Sequence, residues 1–197
     1  MHSSHNVMVF IELPDNRVTE ISKELLSKAA DLAGDLQGEV EAVVLGGEEV
    51  EELKDLGRYG CSRVYCVQDK RLSLFTSVPY AKALGKVVKN YTPHALLFGA
   101  TTMGRDLAPR IASELNCGLT ADCTELEIGD HKIKGKTYEN ILLQRRPAFG
   151  GNIIATIVSP ESEPSIATVR EGVMKKQEVD EELQVEVINV ESGLTEE

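Results

Sequence analysis

Four short apolar runs are spaced along the first hundred residues, and segments with helical periodicity fill the intervals between them. The runs occupy residues 6–13, 40–45, 63–67 and 95–100. Ile21, Leu25 and Leu32 belong to a set of apolar residues that repeats at the spacing of one helical face, and a similar set surrounds Leu84. Strands separated by helical crossovers are typical of parallel sheets. The pattern therefore predicts an α/β fold, mainly a parallel sheet flanked by helices.

A further helix is predicted from Arg105 to Leu115, although Pro109 falls inside it. Proline is tolerated in the first turn of a helix, where the backbone amides have no intrahelical partner. Asp106 is therefore predicted as the N-cap, because aspartate is a preferred capping residue. The alternative is a kink at Pro109.

The second half of the chain consists of short strand-like runs with little helical periodicity. Three runs cover residues 120–128, 132–138 and 141–145, and Gly129-Asp130-His131 is predicted as the turn between the first two. Further strands are predicted at 152–159, 165–169 and 183–190. We expect this half to add an antiparallel strand extension to the parallel sheet. Residues 191–197 are predicted to form a disordered tail.

Composition and charge exclude several classes of function. The chain has 197 residues and a net charge of −11, which argues against general binding of nucleic acid or of anionic membranes. No window approaches the roughly 18 apolar residues of a membrane span, and the N-terminus lacks the features of a signal peptide. We therefore expect a cytoplasmic location. The four cysteines form no C-x-x-C pair, so we also expect reduced thiols and no metal site.

The first candidate site is the turn that follows the fourth apolar run. Its candidate residues are Thr101, Thr102, Gly104 and Arg105. A turn from a strand into a helix N-terminus favours anions, and this location suits a nucleotide in an open α/β sheet. The sequence matches neither a Walker loop nor a dinucleotide fingerprint. A tight structural turn, an anion site and a contact with a partner therefore remain open.

The second candidate site is the stretch from Gln144 to Asn152, which places two arginines before a proline and two glycines. Arginine keeps its charge, and its planar fork suits flat anionic partners. Gly150 and Gly151 allow a close approach of a backbone or ligand. The alternative is that Arg145 and Arg146 form surface salt bridges and that the glycines form a hairpin bend. No serine–histidine or cysteine–histidine arrangement points to an enzyme.

Three motifs occur together in an order that resembles the alpha subunit of electron transfer flavoprotein. They are GATTMGRDLAPR at 99–110, LTADC at 119–123 and RPAFGGN at 146–152. The resemblance extends from Val7 to about Val190, and the combination is more specific than any fragment alone. The form of the motifs is similar to the prokaryotic branch that includes FixB-type and electron-bifurcating proteins.

The resemblance implies an organisation of domains and cofactors. Members of the family are heterodimers of three domains, and residues 1–190 correspond to the alpha N-terminal domain, an adenine-nucleotide-hydrolase-like α/β fold that has lost its nucleotide. FAD is then expected in an alpha C-terminal domain that this sequence lacks, and AMP or a second FAD in the beta subunit. We expect the chain to be a fragment that holds no cofactor alone, with 191–197 as a tail or linker to the missing FAD domain.

The resemblance also implies roles for the candidate residues. Arg146 occupies the position of a family arginine that approaches a flavin held by the beta subunit, where a fixed cation stabilises anionic reduced flavin and tunes its potential. Arg145 is the weaker candidate, and Gly151 and Asn152 are expected to shape the bend. Asp122 is expected to be structural. Four residues match the vestigial nucleotide pocket of the family and are expected to act as partner contacts or as structural residues: Thr101, Thr102, Gly104 and Arg105.

The implied function is electron transfer without turnover by the chain itself. The domain is expected to dock the beta subunit and to serve acyl-CoA or other dehydrogenases through the complex. Two alternatives remain open: a single-domain module that binds AMP or ATP through residues 101–105, and an assembly domain with no ligand. The sequence names neither the electron donor nor the acceptor, and it leaves open whether the complex bifurcates electrons.

Overall fold

The computed structural model describes residues 4–48, 50–151 and 153–195. Ten strands are formed in these ranges. They are β1 (Val7–Ile11), β2 (Val40–Gly46), β3 (Cys61–Gln68), β4 (Ala95–Gly99), β5 (Leu119–Cys123), β6 (Glu125–Ile133), β7 (Lys136–Ala148), β8 (Ile153–Ile157), β9 (Ser165–Val169) and β10 (Glu186–Asn189). Three α-helices accompany them: α1 (Glu20–Leu36), α2 (Ser77–Tyr91) and α3 (Thr102–Leu115). The acidic stretch Glu51–Tyr59 forms a 3-10 helix.

Seven strands build one sheet in the order β10-β3-β2-β1-β4-β9-β5, and every neighbouring pair is parallel. The remaining strands, β6, β7 and β8, form a separate antiparallel sheet. The predicted α/β fold with a mainly parallel sheet and an antiparallel extension is confirmed. The antiparallel part is smaller than predicted, because β5, β9 and β10 join the parallel sheet.

Two hydrophobic clusters cover the two faces of the large sheet. Along β1, Val9 contributes to the first cluster and its neighbours Met8 and Phe10 to the second, as strand alternation requires. The first cluster contains the buried side of α1 and the second contains α2 and α3. Helices on both faces explain why the central strands are continuous apolar runs rather than alternating ones.

The turn between β6 and β7 lies at Lys134-Gly135, where both residues have positive φ, as in a type I′ hairpin. The predicted turn at Gly129-Asp130-His131 is wrong, since these residues lie inside β6 at a shift of register. The Asp130 carboxylate accepts a hydrogen bond from the Asn140 amide at 3.1 Å, across the hairpin. A glycine–aspartate pair that resembles a turn therefore marks an irregularity within a strand pair.

The start of α3 also differs from the prediction. The N-cap is Thr101, whose hydroxyl accepts a hydrogen bond from the Gly104 amide at 3.0 Å, so the prediction of Asp106 as the cap is wrong. Pro109 lies inside the helix on its exposed side. The Asp106 carboxylate instead accepts hydrogen bonds from Ser77 and Arg110.

The predicted disorder of the C-terminal tail is wrong for residues 191–195, while residues 196–197 lie outside the described part. Ser192 is buried, and its hydroxyl donates a hydrogen bond to the Asp69 carboxylate at 2.5 Å. The Lys86 ammonium donates to the Glu191 carbonyl at 2.9 Å. These contacts hold the segment against α2 and against Asp69, the residue after β3.

Candidate functional site

The carboxyl edge of the parallel sheet has a crevice between β1 and β4. These strands are neighbours, but the helix that follows β1 packs on one face of the sheet and the helix that follows β4 packs on the other. Such a change of direction leaves a crevice outside the strand ends, the usual ligand position in open α/β sheets. Glu12 follows β1, and Thr101 follows β4.

The crevice between β1 and β4 is closed by the chain's own side chains. The Thr101 hydroxyl donates a hydrogen bond to the Glu12 carboxylate at 2.7 Å while it caps α3. Glu12 is only 6 % exposed, and its backbone amide donates to the Ser22 hydroxyl at 3.1 Å. Burial raises the pKa of Glu12, the Thr101 hydrogen bond opposes that rise, and the charge of Glu171 adds to it.

The residues predicted for a nucleotide pocket lie at this closed crevice. A Cβ atom on Gly104 would come within 1.9 Å of the Gly99 carbonyl oxygen, so this glycine allows α3 to start close against β4. Thr102 is exposed. Among the described residues, those that line the adjacent cavity of about 520 Å³ include Asp15 and Glu48 and no lysine or arginine. A buried carboxylate beside an acidic cavity is a poor fit for the phosphate of AMP or ATP.

Arg105, the fourth residue predicted for the nucleotide pocket, makes its contacts outside the crevice between β1 and β4. Its guanidinium donates to the Ala100 carbonyl at 2.8 Å and lies 3.5 Å from the Asp122 carboxylate. Arg170, directly after β9, donates to the same carboxylate at 2.6 Å and 3.3 Å. The pKa of Asp122 is lowered, mainly by Arg170 and then by the charges of Arg105 and Arg146. Asp122 therefore forms ion pairs with two arginines, Arg105 and Arg170, that are distant from it in sequence.

The backbone at Asp122 is unusual in a way that sequence patterns did not indicate. Its φ is 63°, in the left-handed region, and the pairing of β5 with β9 shifts register between Thr120 and Cys123. The Asp122 amide donates to the Thr168 hydroxyl at 2.9 Å, which holds this conformation. Bulges and left-handed residues frequently re-aim side chains at functional sites. The motif LTADC contains Asp122, but the ion pairs of Asp122 are made with arginines that are distant in sequence.

Arg145 and Arg146 differ sharply although they are adjacent on β7. Arg145 bonds the carboxylates of Glu125 and Glu127 on β6, both at 2.7 Å, so it matches the alternative of a surface salt bridge. The half-buried Arg146 makes no hydrogen bond or ion pair with any residue in the described ranges. Strand alternation places it on the face shared with Gln144, whose buried amide likewise has no partner in that part of the chain. Of these two arginines, Arg146 is therefore the one whose guanidinium is available to bind another molecule.

An apolar surface adjoins Arg146 at the hairpin between β7 and β8. Phe149 is 83 % exposed and Ile154 is 64 % exposed, and Ile153 is also exposed. Gly151 has a φ of 91°, and a Cβ there would meet no atom within 4 Å. Asn152, which was predicted to shape the bend, lies outside the described residues. Because β8 is an edge strand, the hairpin combines exposed apolar side chains with unpaired backbone groups, a combination typical of interaction surfaces.

Searches for two other kinds of feature were negative in the described ranges. No group of three or more histidine, cysteine, aspartate or glutamate side chains there is arranged to hold a metal ion. None of the helices there combines the length and the apolar character that crossing a membrane requires.

Comparison with known proteins adds to this geometry. The family described as "Electron transfer flavoprotein domain" matches residues 7–194. The chain is 42 % identical over 197 residues to "Electron transfer flavoprotein subunit alpha" of Thermoanaerobacterium thermosaccharolyticum, covering all of this chain and 57 % of that protein. It is 43 % identical over 170 residues to the protein of the same name from Clostridium acetobutylicum, covering 86 % of this chain and 48 % of that one.

A third relative carries a different name. "Acryloyl-CoA reductase electron transfer subunit beta" of Anaerotignum propionicum is 37 % identical over 198 residues, covering 93 % of this chain and 54 % of that protein. The chain therefore spans about half the length of the curated relatives it matches. The match over nearly the whole chain and the identities near 40 % agree with the parallel fold and the motifs, and the chain belongs to the electron transfer flavoprotein family.

Proposed function

We propose that this chain is the N-terminal domain of the alpha subunit of an electron transfer flavoprotein, in which it docks the beta subunit and holds Arg146 beside a flavin of that subunit. The chain contributes shape and a fixed positive charge, and catalyses no reaction itself. The division into a domain at 1–190 and a linker at 191–197 is part of the proposal. So is a cytoplasmic location.

The observation that carries the proposal is the contrast between Arg145 and Arg146. Arg145 is neutralised by two glutamates, whereas Arg146 makes no hydrogen bond or ion pair in the described ranges and adjoins an exposed apolar hairpin. The guanidinium of half-buried Arg146 therefore has donors that another molecule can use. Exposed Phe149 and Ile154 supply the apolar area that a docking partner would cover.

The residues present fit a flavin that approaches from outside better than one held within the chain. Arg146 has donors available, and the backbone at Gly150 and Gly151 is open to close approach. The bound flavin would supply the redox chemistry. The Arg146 guanidinium would supply charge and hydrogen bonds to an anionic reduced flavin, and the hairpin would exclude water around it. FAD in a C-terminal domain and AMP or FAD in the beta subunit remain expectations of family membership.

The partners of the whole complex are a further part of the proposal. A relative is named as the electron transfer subunit of an acryloyl-CoA reductase, which supports the expectation that this complex serves acyl-CoA or other dehydrogenases. No arrangement of side chains in the described ranges identifies the electron donor or the electron acceptor of the complex.

Co-purification of the chain with its beta subunit tests the docking part of the proposal. We expect Ile154→Lys to weaken the complex at least tenfold, because it places a charge in the apolar surface. Leu74→Lys is the matched control, since Leu74 is 80 % exposed but lies in the loop before α2, beside the acidic cavity. Equal effects of the two substitutions, or an unaffected complex, would show that the β7–β8 hairpin is not the docking surface.

The alternative of a single-domain AMP or ATP module receives no support from the site. Glu12 fills the crevice where the phosphate would lie, and Thr101 already uses its hydroxyl twice. We therefore expect no saturable binding of labelled AMP at micromolar concentration in that crevice. Binding that is lost in a Thr101 variant but kept in an Arg170 variant would favour the alternative.

A further inference from the structure

We propose that Gln144 is a positioning residue for Arg146. In the complex with the beta subunit, the Gln144 amide oxygen accepts a hydrogen bond from the Arg146 guanidinium and aims that group at the flavin. This role rests on the proposed function, because it requires a flavin beside Arg146. It adds a second residue of this chain to the site, and that residue acts through Arg146 rather than by touching the flavin.

Gln144 is a fully buried polar residue without a protein partner. Its side chain is 0 % exposed, and neither its amide oxygen nor its amide nitrogen makes a hydrogen bond with any residue that the structure describes. Buried polar groups in folded proteins are usually hydrogen-bonded, so one that is not requires an explanation. An apolar side chain of similar size would fill the same space without the cost of burying an amide. Packing alone therefore does not account for a glutamine at this position.

The nearest positions to Gln144 on its face of the antiparallel sheet include one polar side chain. Leu126 lies opposite on β6, Ile157 lies opposite on β8, and Leu142 precedes Gln144 on the same face of β7. The next residue on that face is Arg146, about 7 Å further along the strand, a distance that a long arginine side chain can cover. A guanidinium has five donors and no acceptor, whereas a glutamine amide includes an acceptor. The two groups are therefore complementary.

A neutral acceptor suits this role better than a carboxylate. On the opposite face of β7, Arg145 is held by Glu125 and Glu127, and these two carboxylates offset its charge. An amide oxygen can fix the direction of a guanidinium and leave its positive charge whole. Arg146 then keeps its charge and its remaining donors for the flavin.

Thermal melts of the complete chain without the beta subunit separate this role from a structural one. Gln144→Met replaces the amide with an apolar side chain of similar size, so Tm should stay the same or rise. If Gln144 is structural, for example because it holds a buried water, the same substitution should lower Tm by about 2 °C or more. A lower Tm would therefore overturn the positioning role.

Spectroelectrochemical titration of the heterodimer tests the positioning itself. Gln144→Met should make the potential of the partner's flavin more negative, as Arg146→Gln does but by less, because the cation is kept and its fixed direction is lost. Gln144→Glu should shift the potential further than Gln144→Met, because a carboxylate offsets the Arg146 charge. Leu142→Met is the matched control, since Leu142 is 1 % exposed on the same face and the change conserves volume. It should leave the potential unchanged.

The same titration distinguishes the role of Gln144 from the proposed function. A shift in Arg146→Gln with an unchanged potential in both Gln144 variants overturns the role of Gln144 and leaves the proposed function intact. An unchanged potential in Arg146→Gln contradicts the proposed function and, with it, the role of Gln144. A shift in Leu142→Met as large as that in Gln144→Met also overturns the positioning role.

Discussion

Thr101→Val removes two hydrogen bonds that together hold the start of α3 against the end of β1. The Thr101 hydroxyl accepts from the Gly104 amide at 3.0 Å and donates to the Glu12 carboxylate at 2.7 Å. Loss of a threonine N-cap costs about 1 kcal/mol. Leaving a buried acceptor without its donor costs about 1–3 kcal/mol more, and Glu12 is almost fully buried. The free energy of unfolding should therefore fall by about 2–4 kcal/mol.

Urea denaturation and thermal melts followed by far-UV circular dichroism measure this loss. A domain of this size loses about 2–4 °C of Tm per kcal/mol, so Thr101→Val should lower Tm by roughly 4–16 °C. Thr101→Ser keeps the hydroxyl and should lose far less. Thr102→Val is the matched control, because Thr102 is exposed, and surface changes of this kind stay within about 0.5 kcal/mol.

A double substitution tests whether the loss passes through Glu12. In a Glu12→Ala background no buried side-chain acceptor remains for the Thr101 hydroxyl, so Thr101→Val should cost little more than the cap itself. The reasoning is refuted if Thr101→Val costs no more than Thr102→Val, or if its cost is the same with Glu12 and with Ala at that position.

The remaining predictions concern pH dependence, the C-terminal segment and the thiols. Because burial raises the pKa of Glu12, its contribution to stability is present below the ordinary pKa of a glutamate and is lost as pH rises through the folded pKa. Glu12→Gln should therefore raise the free energy of unfolding more at pH 7 than at pH 4, as measured by urea titrations. An effect that is the same at both pH values would contradict this. Ser192→Ala removes the hydrogen bond to Asp69 and should speed limited proteolysis near residue 192, while cleavage elsewhere keeps its rate. Burial raises the pKa of Cys123 to about 12 and that of the half-buried Cys117 to about 11. Iodoacetamide at pH 8 should therefore label Cys117 before Cys123 in the native chain, as followed by mass spectrometry. Labelling of Cys123 before Cys117 would contradict this prediction.

The fold was predictable where local periodicity decides the structure. The strands and helices of the first hundred residues follow from apolar runs bounded by helical repeats, and α1 covers the predicted apolar set around Leu25. The hairpin was misplaced because Gly129-Asp130-His131 has turn-like composition, whereas the actual turn at Lys134-Gly135 is set by the pairing of β6 with β7. The N-cap of α3 was also misassigned, because the position of Thr101 depends on a hydrogen bond to Glu12, which is distant in sequence.

The candidate site was only partly predictable. Motif reading found Arg105 and Arg146 but treated them as separate sites, and it treated Asp122 as structural. The ion pairs of Asp122 with Arg105 and Arg170 depend on the adjacency of β4, β9 and β5, and no motif contained Arg170. Contacts such as that between Glu12 and Thr101, 89 residues apart, are fixed by strand order, which local patterns do not specify.

The redox potential of the partner's flavin in the assembled heterodimer tests the role of Arg146 most directly. Spectroelectrochemical titration should be carried out on the unsubstituted complex, on Arg146→Gln and on Arg145→Gln as the neighbouring control. The account predicts a more negative potential for Arg146→Gln, by on the order of tens of millivolts, because an anionic reduced flavin loses a nearby cation. Arg145→Gln should shift the potential much less, since Arg145 lies on the opposite face of β7, with its guanidinium bonded to Glu125 and Glu127. An unaltered potential in Arg146→Gln, or equal shifts in both variants, would contradict the account.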